Sequence, residues 1–189
     1  RENLQEICLL LLDKGAAVND YDTSGMSALH YAVKNDDTLL VRLLLIKGAN
    51  VNKRHRTEGT PLEVACWYHG NTSSIECLTS YGAEINPEHF TTWSPLSLAI
   101  KKEFREAALW LVKHGANVNF KMGNGVTILH MIVGQQMGSL FMECINRGAD
   151  INAQTTDSLI TSLHLAAECN NLNMVKILFW NGADTNLRM

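Results

Sequence analysis

Gly15-Ala16-Ala17-Val18-Asn19 returns as Gly48-Ala49-Asn50-Val51-Asn52 and again as Gly82-Ala83-Glu84-Ile85-Asn86. It recurs as Gly115-Ala116-Asn117-Val118-Asn119, Gly148-Ala149-Asp150-Ile151-Asn152 and Gly182-Ala183-Asp184-Thr185-Asn186, so successive glycines lie 33, 34, 33, 33 and 34 residues apart. A second element keeps the same step: Ser27-Ala28-Leu29-His30, Thr60-Pro61-Leu62-Glu63, Ser94-Pro95-Leu96-Ser97, Thr127-Ile128-Leu129-His130 and Thr161-Ser162-Leu163-His164. Two independent signatures locked to one period across 189 residues make repetition the organising fact of this chain.

Each signature has a physical meaning. Ser or Thr ahead of an apolar run is a helix N-cap, because its oxygen accepts from amides with no intrahelical partner. Pro61 and Pro95 fall at the first helical position, where a missing N–H costs nothing. A first helix then carries a Leu and Ala stripe, as in Leu163, Ala166 and Ala167, and a second carries a longer one, as in Leu40, Val41, Leu43, Leu44 and Leu45. The recurring glycine ends the second helix, and a polar turn leads to the next cap. One such unit cannot bury both helices, so neighbours must stack.

The spaced Thr-Pro-Leu-His-like and Gly-Ala-Asp-Val-Asn-like motifs resemble those of the ankyrin repeat family from Glu6 to Asn186. The resemblance implies an all-α fold, an ankyrin repeat solenoid of stacked helix–loop–helix units with β-hairpin fingers. The expected organisation is one domain over 1–189, with a partial repeat at 1–22 and repeats at about 23–55, 56–89, 90–122, 123–156 and 157–189. The partial repeat supplies one second-type helix, about Asn3 to Lys14, with nothing ahead of it to cover Ile7, Leu10 and Leu11. The chain is therefore expected to be a piece of a longer protein. One-residue insertions are placed in the loop around His69 to Ser73 and in the finger around Thr155 to Ile160. Glu63 and Ser97 replace the motif histidine, and Thr92 replaces a finger glycine.

Composition excludes several function classes. A net charge of −3 supplies no bulk drive toward nucleic acid or an anionic membrane, and no apolar run approaches the roughly 20 residues that span a bilayer. Cys8, Cys66, Cys77, Cys144 and Cys169 are odd in number and form no Cys-x-x-Cys pair, which suggests reduced thiols rather than a disulfide framework or a zinc site. With no secretory signal at Arg1-Glu2-Asn3, the expected location is cytoplasmic, with the nucleus open. Asn71-Thr72-Ser73 matches a glycosylation acceptor and matters only in an exported chain.

No catalytic constellation emerges: there is no Gly-x-Ser-x-Gly, no zinc spacing and no phosphate loop, since no strand precedes Gly123-Asn124-Gly125. Neither an enzyme nor a cofactor or metal is expected. In the family, His30, His130 and His164 resemble a structural histidine tying the first helix to the turn. Binding is the better reading. The family's partners meet the finger tips and the exposed side of the first helix, which together line a concave face. There, at about 100° per residue, Trp67 falls off the stripe of Leu62, Ala65 and Cys66, with Tyr68 at its edge. Fingers add Arg54, His55, Arg56, Phe90 and Trp93, and Lys101 and Lys102 stand at the positions of Trp67 and Tyr68 one repeat on.

Stacking is expected to join Trp67, Tyr68, Trp93, Phe90, Arg54, Arg56, Lys101 and Lys102 into one patch, of the residue types enriched in binding hot spots. The competing reading folds Trp67 or Tyr68 under the longer loop and plugs a finger with Trp93. Trp110 reads as core packing, and Trp180 beside Phe179 as exposed or covered by a further repeat. The family resemblance also makes Asn52, Asn86 and Asn119 candidates for asparaginyl hydroxylation, each with Leu eight residues before, against a plain turn role.

The expected function is a protein–protein interaction module, a scaffold or adaptor binding a partner on its concave face. The alternatives are the substrate-recruiting part of a larger enzyme, such as a ubiquitin ligase adaptor, and a structural spacer array. The expected partner is another protein or peptide, acidic or with an apolar anchor. Neither nucleic acid nor direct membrane insertion is expected, and the chain should be a monomer.

Overall fold

The computed structural model describes residues 2–88, 93–135 and 137–188, and within them the chain is helical with no sheet. It divides into two compact units, Arg1–Ile85 and Asn86–Met189. The first holds α1 (Glu2–Asp13), α2 (Ala28–Lys34), α3 (Thr38–Ile46), α4 (Pro61–Tyr68) and α5 (Thr72–Ser80). Here α2 packs on α3 within a repeat and on α4 in the next, while α3 packs on α5. The second holds α6 (Pro95–Lys101), α7 (Arg105–Lys113), α8 (Ile128–Gln135), α9 (Gly138–Asn146), α10 (Ser162–Glu168) and α11 (Leu172–Trp180), paired and stacked the same way.

The short first helices of each repeat exist because their starts are fixed. Thr60 accepts from the Glu63 amide while the Glu63 carboxylate accepts from Thr60 N–H at 2.7 Å, so the glutamate replaces the motif histidine in a reciprocal capping box. Ser94 and Ser97 make the same box with hydroxyls. Each second helix ends at a glycine such as Gly48, whose φ of +86° only glycine adopts without strain. The core repeats with the motif: Leu29, Leu62, Leu96 and Leu129 are all buried. Among the described residues three fingers close by single antiparallel bridges, Tyr21 to Ser27, His55 to Gly59 and Lys121 to Thr127.

The two extra residues are absorbed differently. In the finger, Leu159 adopts a φ of +51° and the Thr155 amide donates to the Ile160 carbonyl, widening the turn where spacing placed the insertion. The other insertion is displaced from its expected loop. Asp36, Glu103 and Asn170 take a left-handed conformation nine residues after their caps, whereas the equivalent Gly70 stands ten after Thr60. The extra residue therefore lies ahead of Gly70, and helix α4 runs to Tyr68.

The buried histidines bind the first helices to the following fingers. His30 Nδ1 accepts from the Ser27 amide and hydroxyl, and its Nε2–H donates to the Gly59 carbonyl at 3.1 Å. His130 does the same with Thr127 and the Ile160 carbonyl. Burial, the largest influence on each, lowers both imidazole pKa values from 6.5. Unfolded chain then takes up protons that the folded chain refuses, so stability is full above about pH 6.5 and is lost as pH falls below it. Thermal melts between pH 7.5 and 5 should show a falling midpoint, with a shallower slope in His130→Gln. A flat profile would contradict this role.

Candidate partner-binding surface

In the first unit, finger tips and the exposed sides of α2 and α4 bring four aromatic residues to the surface. Tyr21 and Tyr31 are exposed, and Trp67 and Tyr68 are half-buried. Tyr68 is braced: its hydroxyl donates to the Glu58 carboxylate at 3.0 Å, and Lys34 Nζ bonds the same carboxylate at 3.0 Å while standing 4.6 Å from the centre of the tyrosine ring. Burial opposes ionisation of Glu58, but the bonds from Lys34 and Tyr68 outweigh it and hold the carboxyl below its ordinary value. Tyr31 is held likewise, donating to Asp22 at 2.6 Å. The Ser24 hydroxyl first, then that of Tyr31, keeps the Asp22 carboxyl well below the usual range.

Arg54 and Arg56 of the second finger are exposed, whereas His55 between them is buried. In the second unit, Trp93 is half-buried and Lys101 Nζ lies 4.0 Å from the centre of its ring, with Lys101 and Lys102 both exposed on their backbone positions at the end of α6. Phe90 and Thr92 lie outside the described residues. The expected patch draws on residues of both units.

Other candidates resolve into structural work. Asn52 donates from its amide nitrogen to the Gly82 carbonyl at 2.9 Å and accepts from the Glu84 amide at 3.0 Å. Asn86 repeats this on Gly115 and Asn117, and Asn119 on Gly148 and Asp150. Asn19 and Asn152 do so as well, so these five finger asparagines each stitch their repeat to the next turn with both ends of the amide. Trp110 is not core, contrary to the sequence reading. It is half-buried and stacks on His114 with ring centroids 3.7 Å apart, because it sits off the stripe of Ala107, Ala108 and Leu111. Trp180 and Phe179 are exposed.

All five cysteines are free thiols. Burial pushes Cys144 up to about 12 and Cys66 higher still, whereas Cys169 is exposed. A rise from about 9 to about 12 cuts the thiolate fraction at pH 7 about a thousandfold. N-ethylmaleimide should therefore label Cys169 first in native protein and reach Cys66 and Cys144 only on unfolding, read by peptide mass spectrometry. Early labelling of Cys66 would contradict the packing of α4. Among the described residues no group of three or more His, Cys, Asp or Glu could hold a metal, and no helix is long and apolar enough to cross a membrane.

Against these geometries stands the comparison with known families: the family model for ankyrin repeats (3 copies) matches residues 1–89 and 96–189. The chain belongs to the ankyrin repeat family. It is 40% identical over 82 residues to ankyrin repeat protein FPV031 of Fowlpox virus (strain NVSL), matching 43% of this chain and 24% of that protein. Rabankyrin-5 of Mus musculus is 27% identical over 155 residues, 80% of this chain and 13% of that protein. This ankyrin chain thus spans less than a quarter of these relatives' lengths. Among solved structures, the ankyrin repeat domain of Bcl-3, a member of the IkappaB protein family, superposes with a TM-score of 0.78 at 25% identity, over 97% of this chain and 82% of that one. An ankyrin array of this kind is a protein–protein interaction module.

Motif reading missed Tyr21, Tyr31 and the Lys34–Glu58–Tyr68 group. A usable signal existed for Tyr31, which lies two positions, about 200°, from buried Leu29 on its helix. The carboxylates that brace the two tyrosines come from fingers, and only the folded hairpins bring them there.

Proposed function

We propose that the first ankyrin unit recognises a partner protein on the face built from its fingers and helices α2 and α4, with Trp67 and Tyr68 as anchors and Arg54 and Arg56 as a basic edge. The observation that carries this reading is the bracing of Tyr68 by Glu58 and Lys34 at a half-exposed position. An aromatic side chain held in place before binding loses little rotamer freedom on contact, and immobilising a mobile one costs about 0.5–1.5 kcal/mol. Within the second unit, Trp93 beneath Lys101, with Lys102 next in sequence, offers a second aromatic and basic contact point of the same kind.

The test is affinity capture from lysate, comparing wild type with Trp67→Ala/Tyr68→Ala and with Trp93→Ala. Circular dichroism must first show native helix content in the variants. Proteins bound by the wild type should be lost from the double variant. A folded double variant that retains every partner would place binding elsewhere.

A further inference from the structure

We infer that the second finger is an acid-reading clasp, in which Arg54 and Arg56 pair with the carboxylates of a short acidic segment of the partner protein and His55 acts as their positioning residue. This rests on the reading that the first unit's finger and helix face meets the partner.

The charge arrangement decides the ligand. Asp22 accepts from the Ser24 and Tyr31 hydroxyls, and Glu58 accepts from Lys34 and Tyr68. Neither carboxylate turns to the finger's cations. Lys53 lies 4.5 Å from the centre of the Tyr21 ring, and among the described residues Lys53, Arg54 and Arg56 form no ion pair. Among the described residues the two exposed guanidiniums thus have no carboxylate partner, and a guanidinium forks a carboxylate with two parallel hydrogen bonds that an ammonium cannot make. On the side of the preceding finger the basic area meets exposed Asp20 and Asp22. A long polyanion such as RNA, or an anionic membrane, would meet that acidic finger and a chain of net charge −3. A short run of Asp or Glu avoids both.

His55 makes the clasp rigid. Its Nδ1 accepts from the Glu58 amide at 3.0 Å, and its Nε2–H donates across to the Ser24 carbonyl of the preceding finger at 2.8 Å. Its ring stands edge-on to that of His30, 6.3 Å away between centroids. With His55 turned inward and the His55–Gly59 bridge closing the hairpin, the side chains on either side of it are presented outward. The finger is a fixed mount for two arginines.

The experiment is an NMR titration of the isotope-labelled 189-residue chain with a tetraglutamate peptide at low salt. Amide shifts should centre on residues 53–59. Arg54→Gln/Arg56→Gln should weaken binding at least about tenfold, and Arg54→Lys/Arg56→Lys by several-fold, since charge remains but the fork is lost. His55→Ala should also weaken it, with faster hydrogen exchange at Gly59 and unchanged helices. Both arginines are exposed, so their variants should fold. Shifts elsewhere, or equal affinity in Arg54→Gln/Arg56→Gln, would overturn the proposal. So would capture by phosphatidylserine vesicles that depends on the arginines while tetraglutamate does nothing, which would make the ligand a lipid surface. The lysate captures separate the two readings. If tetraglutamate fails yet partners still depend on Trp67 and Tyr68, the partner face stands and only its acid preference falls.

Discussion

Phe141→Ala is expected to cost about 3–5 kcal/mol of stability, the range for emptying an aromatic site in a packed core. Phe141 lies on α9, is fully buried and heads the largest fully buried side chains. Helix α9 packs on both α7 and α8, so the cavity loosens two interfaces at once. In a repeat array each unit is stabilised by its neighbours, so losing one interface propagates along the stack. At about 2–4 °C per kcal/mol for a chain of this size, the melting midpoint should fall by about 10 °C. Hydrogen exchange should locate the loss in α7 to α11 and leave α2 to α5 nearly protected as in wild type. The control is Phe179→Ala, whose side chain is exposed and whose cost should stay within about 0.5 kcal/mol. Equal losses from both variants would contradict the assignment of core and surface on the second helices.

The contrast between these two phenylalanines shows what was legible in the chain. Repeat period, caps, terminating glycines and the buried leucines are encoded by residues within a few positions of one another, and spacing reads them directly. Phe141 falls on the stripe with Leu140 and Cys144, so its burial follows from helical period. Placement of the extra residue in the second repeat did not follow, because counting cannot say whether a residue lengthens a helix or a loop. The position of Gly70, left-handed and one step late, resolves it in favour of α4. Trp110 misled because its neighbours Leu109 and Leu111 are apolar, whereas its own direction faces His114.

The candidate surface was legible in its residue types and not in its bracing. Trp67 and Tyr68 are a local exception to the repeat, since the equivalent positions hold Lys34 and Asn35 one repeat before and Lys101 and Lys102 one repeat on. That Tyr68 shares a carboxylate with Lys34 depends on a finger residue ten positions earlier folding back over the helix. The inward turn of His55 between two outward arginines is likewise a property of the closed hairpin. A pattern of Lys53-Arg54-His55-Arg56 reads as four basic residues, yet His55 is buried while Arg54 and Arg56 on either side of it are exposed.

Tyr68→Ala is expected to weaken binding of a captured partner by about 30-fold, the equivalent of about 2 kcal/mol at a well-packed aromatic anchor. Trp67→Ala should have an effect of the same size. Tyr68→Phe should lie between wild type and alanine, because the ring remains but its bond to Glu58 is gone. Lys34→Met should resemble Tyr68→Phe, since it removes the cation from the same carboxylate and ring while leaving the helix intact.

The most direct measurement is calorimetric titration of one purified partner, first identified by lysate capture, against wild type and these four variants, each checked for native melting. A graded loss, with the two alanine variants weakest and Tyr68→Phe and Lys34→Met intermediate, is the result expected of a braced aromatic anchor. Affinities within twofold of wild type in folded Trp67→Ala and Tyr68→Ala would contradict it and move the partner to another face of the array.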